Sequence, residues 1–283
     1  MLSLRLKGIS SAQRDAVQEQ YGGFMQQPAT SGTPVEVEAY RLPQPLSEPV
    51  THFSRDGQYA PRHHWQGARL DSTGFNFVAS MDFSAKPAAG SIGVAQEPEL
   101  PDVAVLDNCL RLITVHAALD NGGAVLHSAG LERNGRAYLF CGRSGVGKTT
   151  LCHKAAPMGC QVLSDDLNLV LPSAQGFAAH AVPFTGEYGR TLNHLGSGDH
   201  YPLAALVLLE QGEELSLESV PPAVAVSRLY VTSPFANEQA HQAEALMAVL
   251  DNMVDRVPVV KMTSSREAAA EDIFNVLESY LND

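Results

Sequence analysis

The hydrophobic positions change their period along the chain. Over the first hundred residues they alternate in short runs, Val35–Leu42 and Phe75–Phe83, the two-residue period of half-exposed strands. Proline-rich punctuation at Pro28–Pro34, Pro43–Pro49 and Pro87–Pro101 reads as long surface connections, and the last marks a boundary. This predicts a β-rich accessory region over 1–98 and a second region over 99–283. From Asp102 the period lengthens: Val103, Leu106, Leu110, Ile113 and Ala117 recur at helical spacing until Asn121-Gly122 stops the helix.

Two apolar runs follow, Ala124–Leu131 and Arg136–Cys141, joined by a tight link containing Asn134-Gly135, a dipeptide suited to a type I′ turn and so to an antiparallel hairpin. The pattern then predicts a helix after Gly147, a strand at Gln161–Ser164 and a second hairpin from Leu167–Leu171 to Phe177–Val182. Further strands are expected at Ala204–Leu209, Leu215–Val220 and Val257–Met262, with helices at Asn237–Val254 and after Ser264. There Ser264-x-x-Glu267 reads as a capping box. Hairpins interleaved with helices predict an α/β fold on a mixed sheet, not a purely parallel one.

Composition narrows the function. With 45% apolar and 18% charged residues the chain is a globular protein, and its net charge of −12 disfavours nucleic acid and anionic lipid as main partners. No apolar run approaches the ~18 residues of a membrane span. Arg5, Lys7 and Arg14 interrupt the place a secretory signal would occupy, so a cytoplasmic location is expected. The four cysteines, Cys109, Cys141, Cys152 and Cys160, form no C-x-x-C pair and read as reduced, mostly buried thiols.

The chemistry concentrates in Gly142-Arg143-Ser144-Gly145-Val146-Gly147-Lys148-Thr149, which fits the phosphate-binding pattern G-x-x-x-x-G-K-[ST]. Glycines let successive backbone N–H groups turn inward onto phosphate oxygens, and the helix that follows adds its positive end. Lys148 is placed to reach the β and γ phosphates, and the Thr149 hydroxyl to hold Mg²⁺. Thr150 completes the candidate nucleotide contacts. An apolar strand enters this loop and a helix leaves it, the context such a loop needs.

Seventeen residues beyond Lys148 a strand ends in Asp165-Asp166. Two adjacent carboxylates repel, and a divalent cation shared with nucleotide phosphates is one physical reason to keep them together; a solvated turn is the other reading. One acid can serve the metal while its neighbour takes a proton from an attacking hydroxyl. His127, on the hairpin partner of the entering strand, falls beside the loop in that register. It reads either as a core histidine or as a metal, phosphate or acid partner. Glu187 and Arg190 are weaker candidates, for a metal ligand and a phosphate clamp respectively, against an ordinary surface loop. His63-His64-Trp65 and His194 with His200 make no convincing tetrahedral ligand set.

Leu126-His127-Ser128-Ala129, the loop through Thr150-Leu151, and Leu163-Ser164-Asp165-Asp166 together resemble the nucleotide core of the HPr kinase/phosphorylase superfamily, a core shared with ATP-dependent phosphoenolpyruvate carboxykinase. The resemblance is specific over about Ala124–Val170 and does not reach the first hundred residues. It implies a P-loop core in which His127 lies near the γ-phosphate and Lys148 and Thr149 serve phosphate and Mg²⁺. It also implies that Asp165 and Asp166 supply the catalytic base and the metal contact, with Asp165 as base and Asp166 at the metal by analogy. The chain is too short for the carboxykinase substrate domain and is most similar to the small bacterial HPr-kinase-like proteins, some of which phosphorylate a peptide serine.

The expected activity is therefore ATP- and Mg²⁺-dependent transfer of the γ-phosphate to a hydroxyl, chiefly a Ser of a peptide or protein, with self-association into a homo-oligomer allowed. A small-molecule kinase or simple NTPase is the enzymatic alternative. A non-catalytic ATP-sensing or scaffold protein is the other.

Overall fold

The computed structural model describes residues 4–25, 35–42, 62–74, 77–85, 88–95, 102–184, 186–191, 199–236 and 240–282. The expected connections Pro28–Pro34 and Pro43–Pro49 lie outside them. The chain divides into two compact units, Met1–Asp120 and Asn121–Asp283. The sequence places a break before the helix that begins at Asp102, whereas this division falls after it.

The first unit is a six-stranded sheet with two long helices. Its elements are β1 (Leu4–Lys7), α1 (Ser11–Tyr21), β2 (Val35–Arg41), β3 (Arg62–Gln66), β4 (Arg69–Gly74), β5 (Phe77–Asp82), β6 (Ala89–Val94) and α2 (Asp102–Asp120). The strand order is β1-β2-β6-β5-β4-β3, with β1–β2 and β2–β6 parallel and the rest antiparallel. Strand β6 corrects the reading of Pro87–Pro101 as a connection. Its glycines weaken the strand signal, yet a Cβ at Gly90 would run into the Ser80 carbonyl and Met81 of β5. Helix α1 has no apolar periodicity; a capping box sets its start, Ser10 Oγ accepting the Gln13 N–H and the Gln13 side chain accepting the Ser10 N–H. His116 of α2 meets Trp65 and Phe83 edge-on, at 4.9 and 5.7 Å between ring centres.

The second unit carries β7 (Ala124–Arg133), β8 (Arg136–Cys141), α3 (Lys148–Ala155), β9 (Gln161–Ser164), β10 (Leu167–Ser173), β11 (Gly176–His180), α4 (Glu187–Thr191) and β12 (His200–Gln211). It continues with β13 (Ser216–Ser219), α5 (Pro222–Val231), α6 (Ala240–Val254), β14 (Val259–Ser264) and α7 (Ala270–Asn282). Eight strands run in the order β11-β10-β7-β8-β12-β14-β13, with β9 joined to β7 and β11 also paired to β12. The pairs β8–β12 and β12–β14 are parallel, and every other pair is antiparallel. The fold is mixed α/β on sheets of mixed orientation, as the sequence predicts.

The hairpin β7–β8 turns at Asn134-Gly135, both at positive φ (54° and 77°), as a type I′ turn demands. A core cluster packs two helices on this sheet: Leu151, Cys152 and Ala155 of α3 and Ile273, Phe274 and Leu277 of α7 pack with Tyr138, Phe140, Val207 and Met262 of the strands. All four cysteines are free and buried. Among the described residues no helix is long and apolar enough to cross a membrane.

Three expectations in this unit need correction. The capping box Ser264-x-x-Glu267 does not start α7: Ser264 is held in β14 by its pairing with Gln211, and the helix begins six residues later. Ser265 instead accepts the Ala268 N–H in the intervening turn. The segment containing Glu187 is not only a surface loop but forms α4, and α5, led by Pro222, arises where no helix is expected. The predicted helix Asn237–Val254 needs no correction: it is present over Ala240–Val254, residues 237–239 lying outside those described.

Two histidines make the fold acid-sensitive. Burial pushes His63 on β3 and His180 on β11 down to about 4, and His180 also stacks on His200 at 5.0 Å. Between pH 6.5 and 4 the unfolded chain takes up protons at these rings that the folded chain refuses. Stability is therefore full above pH 6.5 and falls as the pH drops to 4, by up to about 3 kcal/mol per site. Thermal unfolding from pH 7 to 4 should show a shallower loss in His63→Gln and His180→Gln; an unchanged slope in both counts against this origin.

Candidate functional site

The end of β8 passes into the Gly142–Thr149 loop and then into α3, and the loop is shaped by residues that tolerate unusual backbone. Gly145 and Gly147 sit at φ 78° and 110°, where an L side chain is strained. Gln211 at the end of β12 donates to the Gly145 carbonyl at 2.9 Å and fixes the tip. Gly147 is the N-cap of α3, so the first backbone N–H groups of the helix open onto the loop without side-chain caps. Arg143, Ser144 and Gly145 are exposed; Val146 packs partly against the core.

Lys148 is buried, and its ammonium donates to the carbonyls of Gly142 (2.9 Å) and Arg143 (3.0 Å). Burial lowers its pKa, while the Asp165 and Asp166 charges pull the other way. The cation thus sits beneath the loop mouth, held by bonds an anion can replace.

The carboxylates arrive by a different route. Strand β9 pairs with Gly130–Glu132 of β7, and β10 pairs with Ala124–His127 of the same strand. Both strands run along the same edge of β7, the one opposite β8, and Asp165-Asp166 is the bend between them, with the Ser128 N–H donating to the Asp166 carbonyl at 3.0 Å. Ser128 also pairs with Cys141, the residue before the loop, which is how acids and lysine come together. A buried polar clamp fixes the bend: the Asn168 side-chain amide donates to the Ser128 carbonyl (2.8 Å) and hydroxyl (3.0 Å), and Ser164 Oγ donates to the Phe184 carbonyl (2.9 Å). The roles of Asn168, Ser128 and Ser164 are not legible in the sequence, because they exist only once β7, β9 and β10 meet.

The two acids occupy different environments. Asp165 is 4% exposed, and its oxygens accept the N–H groups of Gly186 (2.9 Å), Tyr188 (2.8 Å) and Gly189 (3.4 Å), together with the Thr149 hydroxyl (3.3 Å). It secures the N-terminus of α4 and ties it to α3. Asp166 is more open, its side chain 26% exposed, and Oδ1 lies 3.6 Å from His127 Nε2. His127 is itself positioned by its backbone N–H, which donates to the Thr232 carbonyl at 2.7 Å. Glu187 lies between two residues bonded to Asp165, but its side chain is exposed. Arg190 belongs to α4, its side chain outside the described set; His194 is also outside it.

Thr149 and the two aspartates bring hard oxygen donors to one place. Among the described residues no group of three or more His, Cys, Asp or Glu could hold a metal ion alone. That donor set suits a cation such as Mg²⁺, which is bound by one or two carboxylates or hydroxyls and otherwise keeps water and phosphate oxygens. On the far flank of α3 an open cleft is lined by Gly147, Thr150, Lys154, Gln211 and the Ser264–Arg266 segment at the end of β14. Lys154 braces its wall by donating to the carbonyls of Arg266 and Ala268.

Comparison with known proteins finds no match among curated proteins. A family model described as SynChlorMet cassette protein ScmC matches residues 97–268, which span the β7–β8 hairpin, the Gly142–Thr149 loop and the Asp165-Asp166 bend. The match covers well over half of the chain, and the protein belongs to the ScmC family of SynChlorMet cassette proteins.

Proposed function

We propose that this protein is an ATP- and Mg²⁺-dependent kinase that transfers the γ-phosphate to a hydroxyl, a serine of a peptide or protein, with an HPr-kinase-like P-loop core of the kind shared with ATP-dependent phosphoenolpyruvate carboxykinase. The observation that carries the reading is the convergence of Lys148, the uncapped start of α3 and the Asp166–His127 pair at one end of the β7–β8 hairpin. An NTP-binding loop alone needs no second, open carboxylate beside a histidine. The cleft along Thr150, Lys154 and Arg266 extends from the start of α3 and gives the nucleoside a place. Four buried free thiols suit a reducing, cytoplasmic setting.

In this reading the loop N–H groups and Lys148 bind the triphosphate, Lys148 exchanging its two carbonyl partners for phosphate oxygens. The Thr149 hydroxyl would hold Mg²⁺ while donating its proton to the Asp165 carboxylate at 3.3 Å, and the metal would neutralise phosphate charge. Asp166 is the base, in place of the assignment to Asp165 by analogy, since the Asp165 oxygens are occupied by N–H donors and Asp166 is accessible. The acceptor oxygen forms a bond to the γ-phosphorus as the bond to the β–γ bridging oxygen breaks. That electron pair leaves on ADP, and the hydroxyl proton passes to Asp166. His127, 3.6 Å away, orients the carboxylate.

The test is transfer of labelled γ-phosphate from Mg·ATP to a library of peptides with a fixed central serine. Label incorporated into peptide is the expected result. Slow, acceptor-independent hydrolysis would point to a simple NTPase, and ATP binding with no turnover to a sensor.

A further inference from the structure

Asn168 of β10 is fully buried, and its side-chain NH₂ has three oxygens within reach: the Ser128 carbonyl (2.8 Å), the Ser128 hydroxyl (3.0 Å) and the Ser164 carbonyl (3.3 Å). The amide oxygen faces Gly130 of β7, where a Cβ would come within 2.0 Å of it, and it meets no donor among the described residues. Turning the amide over would set its oxygen against two carbonyl oxygens, so the N–H groups are fixed toward Ser128 and Ser164. The side chain acts here through what it donates.

Those bonds close around Asp166. Its backbone N–H donates to the Ser164 hydroxyl (3.2 Å) and its carbonyl accepts the Ser128 N–H (3.0 Å), so its backbone hangs between the two residues that the amide joins. The same Ser128 leads to the phosphate-binding loop: it is paired with Cys141, whose thiol hydrogen-bonds the Ser128 side chain. Gly142 follows directly, and its carbonyl holds the Lys148 ammonium (2.9 Å). An unbroken series of covalent and hydrogen bonds therefore runs from Asp166 through Ser128 to Lys148, and Asn168 braces it at the middle.

We propose that Asn168 is a positioning residue for phosphoryl transfer, its amide tying β7 to the end of β9 so that the Asp166 carboxylate keeps a fixed reach from the Gly142–Thr149 loop. The inference rests on the kinase reading above and adds to it a residue that, being buried, touches neither nucleotide nor acceptor. Transfer depends on close placement of the reacting groups, and a shift of about 1 Å can cost about 10²-fold. Without the amide, the Asp166 backbone keeps its two hydrogen bonds but loses the brace between their partners. Gly130 belongs to the same device, because a methyl group there would displace the amide.

The experiment is a double-mutant cycle between Asn168→Ala and Asp166→Asn. Its readouts are labelled transfer from Mg·ATP to the best serine peptide found with wild type, calorimetric ATP affinity and melting temperature. Asn168→Ala alone should lower kcat about 30- to 100-fold, with the ATP Kd changed less than about threefold. In the Asp166→Asn background the same substitution should lower kcat less than about threefold, since no carboxylate is left to misplace. A merely structural role predicts equal losses in the two backgrounds. If Asn168→Ala does not fold, Gly130→Ala, which displaces the amide from its other side, must show the same pattern. An undiminished kcat, a loss of ATP affinity that accounts for the effect, or equal losses in the two backgrounds would overturn the inference while leaving the kinase reading intact. No transfer by wild type to any peptide would overturn both.

Discussion

Asp166→Asn is expected to lower phosphoryl transfer to a serine peptide by about 10²–10⁴-fold while Mg·ATP still binds, because the amide keeps the shape of the side chain and loses the basic carboxylate. The neighbouring substitution should behave differently. Asp165 accepts three backbone N–H groups and the Thr149 hydroxyl, and an amide in its place would turn an NH₂ toward some of these donors. With charge-assisted bonds contributing about 1.5–3 kcal/mol, Asp165→Asn should reduce stability by roughly that amount and loosen α4 and Thr149. ATP affinity then falls along with turnover. Label transfer, calorimetry and thermal unfolding on the two variants separate these outcomes. Equal loss of ATP affinity in both, or full transfer by Asp166→Asn, would remove Asp166 as base.

Lys148→Ala is expected to weaken Mg·ATP binding by about 2–3 kcal/mol, roughly 30- to 150-fold. The ammonium is the cation the loop supplies to the β and γ phosphates, and its burial means that water screens it poorly. Because it gives up its bonds to the Gly142 and Arg143 carbonyls on binding, the net effect should fall toward the lower end of that range. Calorimetric titration is the direct measurement. Equal affinities for wild type and Lys148→Ala would dismiss the nucleotide reading, and with it the roles assigned to Asp166 and His127.

The elements read most surely from the sequence are those set by local rules. The Asn134-Gly135 turn needs two positive φ values that few other dipeptides reach cheaply, so it fixes an antiparallel β7–β8 hairpin from two letters. Gly145 and Gly147 likewise mark a loop whose backbone other residues would strain, and the apolar run before it and helix after it follow. Short-range signals failed where a pairing partner outweighed them. Ser264 has the capping pattern, but hydrogen bonding to β12 keeps it in the sheet; Ala89–Val94 has strand-poor glycines, but the close approach of β5 excludes a Cβ.

The site divides the same way. Gly142–Thr149 and Asp165-Asp166 were recognisable by type and spacing, because each is a contiguous string with its own chemical logic. Which acid is buried and which is open was not, since two identical side chains in adjacent positions differ only in what surrounds them. The bend between β9 and β10 turns Asp165 toward the N–H groups of Gly186 and Tyr188 and leaves Asp166 near His127, and those donors come from a segment about twenty residues away. Phe235 is the extreme case: no local propensity favours it at φ 60°, and it sits between Thr232, whose carbonyl takes the His127 N–H, and the buried Ala236. The sequence by itself determined the hairpin, the glycine loop and the presence of paired acids, through backbone sterics and side-chain chemistry that act within a few residues. The tertiary structure alone decided the environment of each acid and the strained aromatic at Phe235, because burial and hydrogen-bond partners belong to segments distant along the chain.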